Sequence, residues 1–340
     1  MLNVQVALFD GFDLLDAIAP YEVFCAAAYY ADDALSVRFV TAEGSRSVVS
    51  GVNGVPIEAI GTLNPELPGI ILVPGAAGDV DDDGPDSIPA ILGRAMNTAL
   101  TERIGQALAR RDVTVATVCG GSLVLAMGGL LEGRPAVTNR LGMDLLGATG
   151  AVPVQARVVD DGNLVTGGGV TSGLDVALHL VERELGPRIA HEVEQLFEFE
   201  RRGTVWKAAG IAPRRPRNGE STGGEPPVAP ISDSIQPAAA QASAFDGDWD
   251  TAIVTPIGKL DVKLSIETSD GRIRGFATQG GETVDFANPV LESGKLSWTL
   301  RIVKPMRLNL KFEVTVDGDR MTGTAKAGIL PASKLTGERV

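Results

Sequence analysis

The first 211 residues alternate between short apolar runs and longer stretches with apolar positions every three or four residues. Short apolar runs predict buried strands, and the longer spacing predicts amphipathic helices. The predicted strands are 4–9, 36–41, a hairpin over 48–57, 69–74, 113–118, 154–160 and 164–166. The predicted helices are 16–31, 95–111, 123–131, 142–146, 174–185 and 188–202. Strands that alternate with helices form a parallel sheet covered on both faces, so a doubly wound α/β domain is expected.

The pattern changes twice after this point. Residues 212–243 are rich in Pro, Gly and Ser without periodicity, which is typical of a flexible linker. From residue 244 onward, apolar side chains alternate with polar ones and glycine turns separate the runs, as in 260–266 and 308–316. Such strands predict an all-β antiparallel domain, a small barrel or sandwich. The predicted organisation is therefore an α/β domain over 1–211, a linker, and an all-β domain over 244–340.

Composition and charge exclude several classes of partner. The net charge is −13, and the 13 basic and 13 acidic residues from position 245 onward cancel, so the first part carries the excess of acid. A basic face is absent, which argues against nucleic acid. No apolar run reaches the length of a membrane span, and the first residues are typical of a strand rather than of a leader. Two cysteines and two histidines without metal-ligand spacing predict no disulfide framework, metal or cofactor, and favour a cytoplasmic location.

Cys119 is the strongest candidate for chemistry. It follows the β-branched run 113–118 directly and is followed by Gly120 and Gly121. A sharp turn from a strand into a helix needs small neighbours, so this pattern predicts a nucleophile elbow with cysteine in place of serine. The following helix would favour the thiolate through its dipole. Cys25, by contrast, lies on an apolar helix face and is interpreted as core.

Three other strand ends carry candidate groups, because ligands of doubly wound sheets collect at the carboxyl ends of the strands. The first strand leads into 10–16, which holds Asp13 and Asp16. The backbone N–H groups of Gly75 and Ala76, together with those of Gly120 and Gly121, are candidates for holding an anionic intermediate. A third glycine turn, 166–172, ends in hydroxyls, and its Thr171 is a candidate for substrate binding.

Four segments together resemble the ThiJ/PfpI superfamily: 15–24, 73–78, 118–138 and 166–175. The resemblance covers about 4–200 and is greatest to the branch that contains isonitrile hydratases and the amidotransferase-like domains of certain regulators. It implies a flavodoxin-like, class I glutamine-amidotransferase-like fold, usually as a homodimer. It also implies that Cys119 is the nucleophile and that Asp16 is the acidic residue facing the thiol. Asp13 is the alternative, or a helix cap.

Two positions depart from the patterns of this superfamily. Isonitrile hydratases have threonine where this chain has Gly120, and many members have histidine where this chain has Asn139. Without that histidine no Cys–His pair can form there, whereas the resemblance attributes isonitrile hydration to a Cys–Asp pair. His179 and His191 are interpreted as structural.

The expected function is the addition of water to a small-molecule isonitrile, which gives an N-substituted formamide. Two alternatives stay open: a cysteine-dependent hydrolase or glyoxalase-like enzyme on another small electrophile, and a non-catalytic ligand or redox sensor. The all-β domain shows no site, and either a lipocalin-like pocket or a dimerisation surface is compatible with its pattern.

Overall fold

A computed structural model describes the chain over the following residues: 1–80, 84–212, 244–255, 258–269, 272–279, 282–292, 294–302, 308–327 and 332–340. The predicted linker 212–243 lies outside the described residues, apart from its first position.

The strands of the N-terminal part are β1 (Leu2–Ala7), β2 (Leu35–Val40), β3 (Arg46–Val49), β4 (Pro56–Ala59), β5 (Gly69–Val73), β6 (Val113–Thr117), β7 (Pro135–Ala136), β8 (Val152–Pro153), β9 (Val158–Asp160) and β10 (Leu164–Gly167). Its helices are α1 (Leu14–Tyr30), α2 (Ile88–Met96), α3 (Ala99–Leu108), α4 (Gly121–Met127), α5 (Met143–Ala148), α6 (Ser172–Leu185) and α7 (Pro187–Phe197), with a 3₁₀ turn over Arg140–Gly142. The C-terminal strands are β11 (Gly247–Thr255), β12 (Gly258–Ser269), β13 (Arg272–Gln279), β14 (Glu282–Asp285), β15 (Ala287–Glu292), β16 (Lys295–Ile302), β17 (Leu308–Asp317), β18 (Arg320–Ala327) and β19 (Ser333–Arg339).

A six-stranded sheet forms the centre of the N-terminal part, in the order β2-β1-β5-β6-β10-β9. All neighbours run parallel except β9, which pairs antiparallel with β10. The five parallel strands therefore have the 2-1-3-4-5 order of flavodoxin-like folds, and the chain reverses direction across the sheet between β1 and β5. Central strands β5 and β6 are almost entirely buried, as continuous apolar runs predict. The predicted doubly wound α/β fold is confirmed.

Two predicted helices differ from the structure. The single helix expected over 95–111 is two helices, because Asn97 and Thr98 end α2 and cap α3, and α2 itself begins earlier, at Ile88. The N-terminus of α2 is capped by the Ser87 hydroxyl, which accepts a hydrogen bond from the Ala90 amide at 3.4 Å. The last helix ends at Phe197 rather than 202, since Glu198 adopts a left-handed conformation and turns the chain back toward the sheet.

The returning chain is held at the β9 edge by Asp160. The Trp206 amide donates to Val158 O and the Asp160 amide donates to Trp206 O, both at 2.9 Å. Asp160 Oδ2 lies 2.8 Å from His179 Nε2, 2.9 Å from Lys207 Nζ and 3.6 Å from Arg183 Nη1. Burial alone would raise the pKa of this carboxyl, but the hydrogen bonds from His179 and Lys207 outweigh it and hold the pKa well below its usual range.

The C-terminal strands form an antiparallel meander in the order β14-β13-β12-β11-β19-β18-β17-β16-β15. β14 and β15 are consecutive in the chain and form the two opposite edges of this sheet. The chain around Phe286, which joins them, therefore nearly closes the sheet into a nine-stranded barrel. The Phe286 ring fits over Gly275, where a Cβ would lie 2.6 Å from ring atom Cε2. Inside, Phe286, Trp298 and Phe312 stack with ring centroids 4.4 and 4.9 Å apart. Of the two predicted forms, barrel or sandwich, the structure has the barrel.

Among the described helices, none has the length and hydropathy needed to cross a lipid bilayer.

We expect Asp160→Asn to lower the free energy of unfolding by about 1–3 kcal/mol, because three cationic or donor groups lose their charged partner. A carboxyl whose pKa is lower in the folded state stabilises the fold at pH values above its pKa in the unfolded chain, about 4. This contribution is lost as pH falls through the pKa of the folded state. Urea unfolding across acidic pH should therefore show a shallower loss of stability in the variant. Asp112→Asn, in an exposed pair with Arg110, is the control and should change little. Equal effects of the two substitutions would contradict the prediction.

Candidate functional site

Cys119 lies between β6 and α4 with a φ of +54°. This left-handed conformation is costly for a residue with a side chain, so the surrounding structure must enforce it. The Cys119 amide donates to Gly167 O at 3.1 Å. Its carbonyl oxygen accepts from Thr138 Oγ1 at 2.8 Å and from Ser122 Oγ at 3.2 Å. The turn predicted from the sequence is therefore present and is held from three directions.

Gly121 makes this turn possible by close packing. A Cβ at this position would lie 2.2 Å from Val73 O, so the start of α4 can approach the end of β5 only with glycine there. The Gly121 amide donates to Val118 O at 2.9 Å. The sequence-based expectation that this amide holds an anionic intermediate is corrected accordingly, because the donor is already engaged.

Asp16 is completely buried in the first turn of α1. The cap of this helix is Asp13, whose Oδ1 accepts from the Leu15 amide at 2.9 Å and from the Asp16 amide at 3.3 Å. This contact gives Asp13 the capping role and leaves Asp16 free to face the sheet. Asp16 Oδ2 accepts from the Gly75 amide at 3.0 Å, and its Oδ1 has no hydrogen-bond partner among the described residues. The Cys119 thiol interacts with this carboxyl.

Burial determines the protonation of the pair. It raises the pKa of Asp16 to about 8, with the Asp13 charge adding to the effect and the Gly75 and Cys119 hydrogen bonds opposing it. Burial and the charge of Asp16 raise the pKa of the Cys119 thiol to about 12, although hydrogen bonds from Asn139 and the Gly120 amide oppose the rise. The expected resting thiolate is therefore not supported, since desolvation outweighs the short helix. At neutral pH the pair consists of a carboxylic acid and a thiol.

The remaining backbone candidates have separate surroundings. The Gly75 amide is committed to Asp16, so its role is to position the acid. A Cβ on Gly75 would lie 2.6 Å from Gly120 N and 3.2 Å from Cys119 Cβ, which places this glycine against the reacting atoms. The Gly120 amide interacts with the Cys119 sulfur. Ala76 N lies 3.7 Å from the position of a Cβ on Gly120. The Gly120 amide is thus the backbone candidate in contact with the sulfur, and the Ala76 amide lies beside Gly120.

Thr171 lies elsewhere. It is exposed at the start of α6, where its hydroxyl accepts from Arg157 Nη2 at 3.0 Å. That guanidinium also pairs with Asp175 at 2.7 Å. The hydrogen-bond contact of Thr171 is therefore with the ion pair of Arg157 and the buried Asp175 rather than with Cys119 or Asp16.

Asn139 is a member of the site that sequence reasoning did not identify. Its Nδ2 lies 3.5 Å from Cys119 Sγ, within hydrogen-bonding distance for sulfur. The sequence pattern marked this position only for the histidine it lacks. The contact arises because the chain after β7 passes over the elbow, which the sequence alone does not reveal.

The family follows from a comparison with known proteins. Residues 3–183, which make up slightly more than half of the chain, match the model of the DJ-1/PfpI family. The chain belongs to the DJ-1/PfpI family. The predicted ThiJ/PfpI resemblance is confirmed.

Several relatives match parts of this family member. It is 40% identical over 130 residues to an isonitrile hydratase of Pseudomonas putida, covering 38% of this chain and 51% of the relative. It is 27% identical to the HTH-type transcriptional regulator CdhR of Pseudomonas aeruginosa, covering 56% of this chain and 53% of the regulator. The chain thus spans about half the length of these curated relatives. Among solved structures, it is similar to a ThiJ/PfpI family protein from Pseudomonas syringae, with a TM-score of 0.49, 26% identity, and coverage of 59% and 76% of the two chains.

Leu92 fills the space beside Gly120, the position at which threonine was expected for an isonitrile hydratase. A Cβ on Gly120 would lie 3.3 Å from Leu92 Cδ1, so the leucine occupies space that a side chain at 120 would need. Leu92 comes from α2 and is 1% exposed. The sequence pattern did not identify Leu92 because the predicted helix began at 95, after this residue.

We expect Gly121→Ala to unfold the domain or lower its stability by several kcal/mol, because a methyl group would overlap a backbone carbonyl that cannot move independently. The matched control is Gly93→Ala inside α2, where a Cβ would have no neighbour within 4 Å. That substitution should raise stability by about 0.5–1 kcal/mol, because it removes the entropic cost of glycine in a helix. Thermal unfolding measures both, and equal melting temperatures would refute this account of Gly121.

Proposed function

We propose that this protein adds water to isonitriles through covalent catalysis by Cys119, with Asp16 as the carrier of protons. The observation that carries the proposal is the buried Asp16 carboxyl, whose Oδ1 has no hydrogen-bond partner in the described part of the chain, beside a thiol on a strained turn. The 40% identity to an isonitrile hydratase over 130 residues supports the same reaction. That match covers 38% of this chain and 51% of the relative.

The first half of the reaction joins substrate and sulfur. Asp16 gives its proton to the terminal carbon of R–N≡C, and the Cys119 sulfur forms a bond to that carbon. The thiol proton passes to the Asp16 carboxylate. The product is a thioimidate, R–N=CH–S–Cys119, and Asp16 is again a carboxylic acid. A carboxyl with a pKa near the working pH is suited to this exchange.

The second half releases the product. Asp16 gives its proton to the imine nitrogen and takes one from water as the water oxygen bonds to carbon. The resulting R–NH–CH(OH)–S–Cys119 collapses: the C–S bond breaks, and the hydroxyl proton returns through Asp16 to the sulfur. We assign the stabilisation of charge during these steps to the Gly120 amide, which interacts with the sulfur, and to the Ala76 amide beside Gly120. The sum is R–NC plus water giving R–NH–CHO.

We expect Cys119→Ala to abolish the formation of N-cyclohexylformamide from cyclohexyl isocyanide, because the thioimidate cannot form. Chromatography measures the product. Cys25→Ala, at a half-buried position on α1, is the matched control and should retain turnover. Full activity of Cys119→Ala would refute the proposal. No turnover of isonitriles by the wild type, together with Cys119-dependent consumption of an α-keto aldehyde, would support the alternative electrophile instead.

The pH dependence tests the role of Asp16. Its pKa is raised to about 8, so the acid form dominates below that pH. Because the first step needs the acid form, we expect kcat/KM to fall as pH rises through about 8. Asp16→Asn should lower the rate by about two to four orders of magnitude, which is typical of a lost general acid. The variant should also lack the decrease of kcat/KM with rising pH. A wild-type profile that rises through the same range would contradict the assignment.

A further inference from the structure

The Cys119 sulfur has two side-chain neighbours of different chemistry. Asp16, on α1, exchanges protons. Asn139, on the chain after β7, places Nδ2 at 3.5 Å from Sγ and can donate a hydrogen bond but cannot titrate. A donor aimed at sulfur favours the anionic form of that sulfur over the neutral one.

The orientation of the Asn139 amide is fixed by its other end. Oδ1 accepts from the Leu141 amide at 3.1 Å, as the cap of the 3₁₀ turn. With the oxygen engaged there, the NH₂ group faces the sulfur. This settles which end of the carboxamide points to Cys119, because the opposite orientation would bring two donors together.

The backbone that carries Asn139 is also held against the elbow. Thr138 Oγ1 donates to Cys119 O at 2.8 Å, and Ser122 Oγ donates to Val137 O at 2.7 Å. The Val137 amide donates to Thr166 Oγ1 at 2.9 Å. Val137 and Thr138 are thus tied to the elbow, to the start of α4 and to β10. A donor on such a support keeps its distance to the sulfur through a reaction.

We propose that Asn139 stabilises the Cys119 sulfur as a thiolate while the C–S bond forms and breaks, and that Asp16 alone moves the protons. The part of this inference that concerns turnover rests on the proposed function, whereas the effect on the sulfur does not. In the first half-reaction the thiol proton leaves to Asp16, and the Asn139 N–H meets the developing charge. In the second half the thiolate is the leaving group, and the same N–H supports its departure.

This division of roles is compatible with an addition reaction. Among the described residues that contact the sulfur, Asp16 is the one that titrates, and Asp13 acts on it only through its charge. A single carboxyl can take the thiol proton and return it to substrate when a reagent adds across a multiple bond. Small molecules with a polarised carbon–nitrogen multiple bond, of which isonitriles are one kind, are therefore suited to this set of residues.

The test uses a Cys25→Ser background, so that Cys119 is the single thiol of the full chain. Asn139→Ser keeps a hydroxyl able to cap the Leu141 amide but is too short to reach the sulfur. Iodoacetamide alkylation is followed by mass spectrometry from mildly acidic to mildly alkaline pH, where the thiolate is the minor form. We expect the rate to fall about tenfold at each pH, since a hydrogen bond to a charged group is lost. With cyclohexyl isocyanide, kcat should fall by a similar factor while KM changes little.

Two controls separate this role from a structural one. Asn97→Ser, at an exposed asparagine that ends α2, should leave thiol reactivity unchanged. Asn139→His supplies a donor when the imidazole is protonated, so alkylation should partly recover at mildly acidic pH relative to Asn139→Ser. A folded Asn139→Ser variant with wild-type alkylation at every pH would overturn the inference and leave the proposed function intact. A wild type without isonitrile turnover, with the alkylation shift still present, would overturn the proposed function and leave the role of Asn139 on the sulfur intact.

Discussion

Parallel pairing of β1, β5 and β6 is the constraint on which the candidate site depends. Val6 pairs with Leu72, and Val73 with Thr117, so the three strands end at the same edge of the sheet. The chain reverses across the sheet between β1 and β5, the position at which sheets of this kind bind ligands. Asp16 follows the first of these strands, Gly75 the second and Cys119 the third. A shift of one strand by a single residue would separate the acid from the thiol.

Two buried aspartates of this domain show how neighbours decide the use of one residue type. Asp160 is surrounded by His179, Lys207 and Arg183, and its charge is satisfied. Asp16 receives one backbone amide and has an apolar environment, so its neutral form is favoured. The first arrangement fastens a chain segment to the edge of the sheet. The second keeps a proton available at the centre, which is the arrangement expected of a catalytic acid.

Local signals made part of the candidate site predictable from the sequence. The elbow at Cys119 and the strand end before Asp16 follow from β-branched runs and adjacent glycines, and the family motifs joined them into one site. Protonation was not predictable in the same way, because it depends on how deeply the packed domain buries the pair. The Asn139 and Leu92 contacts depend on chain segments that meet only in three dimensions. The boundary between α2 and α3 was missed because the apolar pattern continues across Asn97 and Thr98, which cap the two helices in the folded chain.

The left-handed backbone of Cys119 has a consequence for the evolution of such domains. A side chain in this conformation costs about 1–2 kcal/mol relative to glycine, and three hydrogen bonds to the turn keep it there. A chain selected for stability alone would drift toward glycine at this position, and the fold would survive the change. Under the proposed function, the presence of cysteine there exchanges thermodynamic stability for reactivity. In a lineage that lost its chemistry, this would be among the first positions expected to relax.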